Sequence, residues 1–133
     1  MTRFAVALAV TLLAMVGWSA ASADPSFECS MNSSSQVEIG NCVGEAETTV
    51  NQTIEVALRF AMESAAELDA ATERDTAVPA LKAGQSAWEI YRDAHCEFVG
   101  STFGGGSGTE IAIRSCRVEL GRARVKELMS FLQ

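Results

Sequence analysis

The sequence predicts an all-α domain: a small antiparallel helical bundle of three main helices plus a short N-terminal helix, held by two disulfides. Three observations carry that prediction. Apolar residues recur at sevenfold spacing along three segments, whereas no alternating strand pattern persists beyond residue 23. Proline occurs only at Pro25 and Pro79, and Pro79 sits where a helix should begin rather than inside one. Four cysteines, Cys29, Cys42, Cys96 and Cys116, make an even set in a short chain.

The first 23 residues stand apart from the rest. Arg3 precedes an apolar run from Phe4 to about Trp18, and Ala21, Ser22 and Ala23 supply the small residues of a peptidase site. This is the pattern of a secretory signal peptide cut after Ala23, which leaves residues 24–133 as one small domain with no membrane span of its own. The expected location is periplasmic or secreted, an oxidising setting in which small domains rely on disulfides. Four cysteines permit three pairings. The short connections favour Cys29 with Cys42 and Cys96 with Cys116, at roughly 3 kcal/mol per bridge. Zinc is the competing use, but there is no C-x-x-C pair and only one histidine, so no metal is expected.

Each helix has a local reason. A serine cluster suited to N-capping opens a short segment over 33–39, and Gly40 reads as its stop. A long second helix over 42–75 carries Val43, Val50 and Ala57 in one row and Ile54, Ala61 and Leu68 in the next. Its other faces hold Glu45, Glu47, Glu55, Glu63, Glu67, Asp69 and Glu73, an exposed acidic rod. Pro79 marks the start of the third helix, where Leu81, Trp88 and His95 share one row and Gly84, Tyr91 and Phe98 the adjoining one. The fourth, over 109–132, turns Ile113, Cys116, Leu120, Ala123, Leu128 and Phe131 inward. It leaves Arg114, Arg117, Arg122, Arg124 and Lys126 as a basic outer face suited to lie against the acidic helix.

Charge narrows the classes of partner. The chain carries 17 acidic and 10 basic side chains, a net charge of −7, and 11 of the acids fall between residues 24 and 75. Nucleic acid is excluded, because neutralising phosphates needs a basic surface. An acidic half suits a cationic protein partner or simple solubility. Catalysis has no visible basis: no nucleophile stands beside a base, and His95 falls on a core-facing row.

One segment is more specific than the rest. LKAGQSAWEIYRDAHC, residues 81–96, is followed by Gly105, Gly106 and Ser107, then by Cys116 and Arg124. This arrangement resembles the LprI-type lysozyme inhibitor domain, a small exported bacterial helical family with an L-K-x-x-Q-x-x-W-x-x-Y/F-R-D-x-x-C helix and a downstream G-G-S loop. The likeness runs from Cys29 to Leu128. It departs in the long second helix, where Val50, Asn51, Ile54, Glu55 and Leu58 replace the family's A-D-x-x-L-N-x-x-Y run. Gln85, Trp88 and Arg92 share a helix face and can pack together, with Tyr91 beside them. Arg92 and Asp93 read as a polar clasp that holds the following loop or a carboxylate.

The resemblance implies a cell-envelope protein that binds and inhibits lysozyme and so protects peptidoglycan. The alternative is an envelope structural or stress-related interaction domain without that activity. FGGGSGTE, residues 103–110, is where the two diverge. A phosphate cradle would need a preceding strand and a lysine, and neither is present, so no cofactor is expected. The remaining choices are a slack connector and a projecting loop clamped at its base by Cys96 and Cys116. For a lysozyme cleft lined by two carboxyl groups, neutral contacts are favoured: Gly104, Gly105, Gly106, Ser107, Gly108 and Thr109, rather than Glu110.

Overall fold

The structure is a computed structural model that describes residues 24–132; the leader expected over 1–23 lies outside the described residues. Four helices form, α1 (Pro25–Ser30), α2 (Gln36–Thr72), α3 (Ala77–Ser101) and α4 (Ser107–Met129), with no strand among the described residues. The predicted antiparallel bundle is therefore present. α4 is its centre, packed against each of the other three. Both disulfides lie within the described stretch.

The short N-terminal helix is not the one expected over 33–39. Asp24 caps α1 by accepting from the Ser26 amide at 2.7 Å, and Pro25 takes the first helical position, where its missing N–H costs nothing. The serine cluster instead opens α2. Ser35 Oγ accepts from the Glu38 amide at 3.2 Å, and the Glu38 carboxylate accepts from the Ser34 amide at 2.7 Å, a capping box shifted by one residue. Those bonds to the Ser34 backbone and hydroxyl hold the Glu38 carboxyl below its usual range. Gly40 does not end the helix. Its backbone stays helical and it packs beneath Ile111, so α2 runs on for 37 residues, about 56 Å.

The α2–α3 turn is organised by a side chain that the sequence pattern placed on the exposed rod. Asp69 is buried, and its carboxylate accepts from the amides of Thr76 and Ala77 (3.1 and 2.8 Å) and of Val78 (3.0 Å). These are amides that an α-helix leaves without internal partners at its start, and Thr76, the N-cap of α3, makes no side-chain cap bond of its own. Glu73, at φ 54°, turns the chain so that Asp69 can reach them. Pro79 falls in the first turn of α3, as expected.

The core combines Val43, Val50, Ile54, Ala57 and Ala61 of α2 with Ile111, Ile113, Val118 and Leu128 of α4. Close approach is set by Gly121, where a Cβ would stand 2.9 Å from a Val50 methyl. The predicted rows hold only in part: Leu68 and Phe131 at their far ends, Ala123 within α4 and the whole Gly84, Tyr91 and Phe98 row are exposed. A strict seven-residue row drifts by about 20° per heptad on a straight helix, and Phe131 lies beyond the end of α4. The two disulfides pair Cys29 with Cys42 and Cys96 with Cys116, as the short connections favoured.

Candidate functional site

The α3–α4 connection is shorter than expected. α3 continues to Ser101 before its carbonyls are competed for: Ser101 Oγ donates to the Phe98 carbonyl and Thr102 Oγ1 to that of Val99. Residues 102–106 then make the turn, with Gly104, Gly105 and Gly106 at φ of 71°, 99° and 90°. Side chains rarely adopt such values, and this is what the glycines are for. Residues 101–107 are exposed. Ser107, Gly108 and Thr109 belong to the first turn of α4 instead of the loop, and the Thr109 Oγ1 is buried without a hydrogen-bond partner among the described residues. Of the two hydroxyls expected to project, Ser107 is the exposed one.

The base of the turn is closed in two ways. Cys96, fully buried, is bonded to Cys116 with 5.5 Å between their Cα atoms. One turn further along α3, Gly100 lies against Ile113: a Cβ there would stand 2.7 Å from the isoleucine Cδ1 and closer still to Cγ1. Glu110, just past the turn, is held on its own helix by Arg114 at 2.8 Å.

The 81–96 motif forms a brace that ties α3 to both neighbours. Gln85 is buried, donating to Glu89 and accepting from the Nε of Arg124, each at 3.0 Å. The Trp88 ring sits under two guanidinium groups, those of Arg92 at 5.2 Å and Arg124 at 5.8 Å from its centroid. Arg92 also bonds Asp93 at 2.9 Å and Asn51 of α2 at 3.4 Å. The expected clasp thus closes on a carboxylate and on a neighbouring helix. Asp93 in turn lies 3.6 Å from Arg117, which reaches Glu47 of α2 at 3.5 Å and Glu97 at 3.2 Å. Tyr91 takes no part: it is exposed and stacks on His95 at 5.4 Å.

Two members of this brace, Arg117 and Arg124, were expected on a basic outer face. Between them they face α2 and α3, because each guanidinium meets a carboxylate or amide brought in from another helix. Arg124 had a readable signal, since Leu120, Gly121 and Leu128 flank it at helical spacings of three and four and all pack inward. Arg122 also leaves the outer face, gripping Glu28 of α1 through two bonds of 3.0 and 2.9 Å, and that grip lowers the Glu28 carboxyl below its ordinary range.

His95, Val99 and Phe103 look into a cleft of about 520 Å³ that separates the α3–α4 hairpin from α1 and the start of α2. Among the described residues no cluster of His, Cys, Asp or Glu could hold a metal ion, and no helix is long and apolar enough to cross a membrane.

Comparison with known proteins agrees with this geometry. An uncharacterised protein of Rhizobium meliloti (strain 1021) is 31% identical over 106 residues, covering 74% of this chain and 75% of that protein. No solved structure matches the chain. The family model described as lysozyme inhibitor LprI matches residues 28–128, a span that takes in the end of α1, all of α2 and α3, α4 up to Leu128, both disulfides, the glycine turn and the Gln85–Arg124 brace. With that much of its length matched, the chain belongs to the LprI lysozyme inhibitor family.

Proposed function

We propose that this protein is exported to the cell envelope, with its leader removed after Ala23, and that it binds and inhibits a lysozyme there, using the glycine turn as the element that enters the enzyme. It acts by occupation, without catalysis. The observation that carries the reading is the turn itself: a slim, exposed, uncharged projection whose two stems are joined by Cys96–Cys116 directly below it. A loop clamped at its base has less freedom to lose on docking, which favours affinity.

The chemistry suits the target. A lysozyme cleft works with one protonated and one ionised carboxyl group, so an entering acid would be repelled and a neutral hydroxyl or amide would be accepted. Gly104, Gly105, Gly106 and Ser107 offer those neutral groups, whereas Glu110 is occupied by Arg114. The acidic face of α2 then draws in a basic enzyme, raising the association rate more than the final affinity.

A cell-wall lysis assay with several lysozyme classes tests this. The 24–133 chain is expected to protect the substrate, and Ser107→Tyr, which adds bulk at an exposed position, is expected to reduce potency at least ~10-fold without changing the melting curve. No protection by the parent chain at micromolar concentration would end the lysozyme reading. Full potency in the variant would return the turn to the role of a connector.

A further inference from the structure

The cleft beside the glycine turn has an unusual lining. Phe27 of α1 and Phe103 of the turn are 62% and 57% exposed, and together with Val99 and Leu120 they make its walls apolar. Large exposed aromatic rings beside a concave surface are the usual mark of a contact site. Two carboxylates, Asp24 and Glu119, also line it. A third acid at this end, Glu28, already has Arg122 as its counter-ion, but Asp24 and Glu119 have no ion-pair partner among the described residues. Ser115 on the cleft wall is 5% exposed, and its Oγ has no hydrogen-bond partner among the described residues. A buried hydroxyl in that condition is uncommon in a folded protein.

We propose that this cleft receives an arginine side chain from a basic protein partner, its stem against Phe27, Val99 and Phe103 and its guanidinium at Glu119 and Asp24. Arginine fits better than any other residue. Its planar cation stacks on aromatic faces and forks onto a carboxylate, and its five N–H donors leave one for the Ser115 acceptor. Acidic charge alone would not select the site, since α2 carries more of it. The combination of aromatic walls with carboxylates that have no ion-pair partner among the described residues occurs here, one of them, Asp24, also capping α1 through Ser26. The state of Glu119 agrees: burial, then the negative charge of Asp24, push its carboxyl above the usual range, and Arg122 only partly offsets them. An arriving cation offsets the negative charge of Asp24 and favours the ionised Glu119 carboxylate.

The contact does not depend on the partner being a lysozyme, and it is separable from the turn's own role. The probe is a blocked tripeptide, acetyl-Ala-Arg-Ala-amide, titrated into the 24–133 chain while backbone amide resonances are followed, with the citrulline peptide as its neutral isostere. Saturable shifts at Phe27, Phe103, Ser115 and Glu119 are expected with the arginine peptide alone, and Glu119→Gln should weaken them at least ~3-fold with the fold unchanged. Ser107→Tyr should leave them intact even where it abolishes inhibition. Equal shifts with citrulline, shifts spread along the acidic face of α2, or no shifts at all would overturn the proposal. The last is the result expected if a new α-ammonium at Asp24 already fills the cleft.

Discussion

Gln85 and Arg124 meet across the α3–α4 interface with 94% and 93% of their surfaces withdrawn from water, the Arg124 Nε donating to the Gln85 Oε1 at 3.0 Å. Truncating one partner leaves the other buried and short of a bond, which costs more than the bond contributes. Gln85→Leu is expected to destabilise the fold by about 2 kcal/mol, read from urea midpoints. Pairing it with Arg124→Met should cost less than the sum of the two single changes by about 1 kcal/mol or more, because the pair then leaves together.

Asp69 gives stability a pH dependence. Its carboxylate is favoured in the folded chain chiefly by the Ala77 and Val78 amides, so its pKa lies below the ordinary aspartate value. A depressed carboxylate contributes stability that is fully present above the unfolded pKa, about 3.9, and lost as pH falls through the folded value. Asp69→Ala should therefore unfold at lower urea than the parent at neutral pH. The difference should shrink in titrations taken below the unfolded pKa; a constant gap down to strongly acid pH would refute the capping role.

Two glycines a few residues apart should fail for different reasons. At Gly100 a Cβ meets Ile113, so Gly100→Ala forces the α3–α4 packing apart at the base of the turn and should cost about 1–3 kcal/mol. At Gly104 a Cβ meets nothing, but φ is 71°, so Gly104→Ala should cost only about 1 kcal/mol, from backbone strain. Thermal melts of the two variants order them.

The disulfides should separate stability from activity. Replacing either pair with alanine is expected to cost roughly 3 kcal/mol, with residue separations of 13 and 20. Only loss of Cys96–Cys116 frees the stems of the glycine turn. At a temperature where both variants remain folded, that one should be the weaker inhibitor in the lysis assay.

Steering by the acidic face predicts an association rate that falls with ionic strength, since the Debye length shrinks from about 10 Å at 0.1 M salt to about 3 Å at 1 M. Stopped-flow mixing with a basic lysozyme measures it. A rate indifferent to salt would remove the steering while leaving the turn's role standing.

The helical class, the starts of α3 and α4 to within a turn and the disulfide partners were legible in the sequence, because each depends on neighbours close along the chain; the start of α2, six residues earlier than expected, was not. Apolar spacing sets a helix face, proline suits a helix start, and cysteines separated by a short connection meet when it folds back. The glycine turn was legible for the same reason, since positive φ is a local demand. Asp69 and Arg117 were not, and Arg124 was legible only as an inward position, not by its partner. Their charges matched a solvated face, and what drew them inward was three amides at the start of the next helix, a set of carboxylates from two helices, and a buried glutamine beside a tryptophan ring. The amides reach Asp69 only when the chain turns from α2 into α3, and the partners of Arg117 and Arg124 meet them only once α4 is seated against both helices; burying a charge depends on what stands opposite it, which spacing along one helix does not encode.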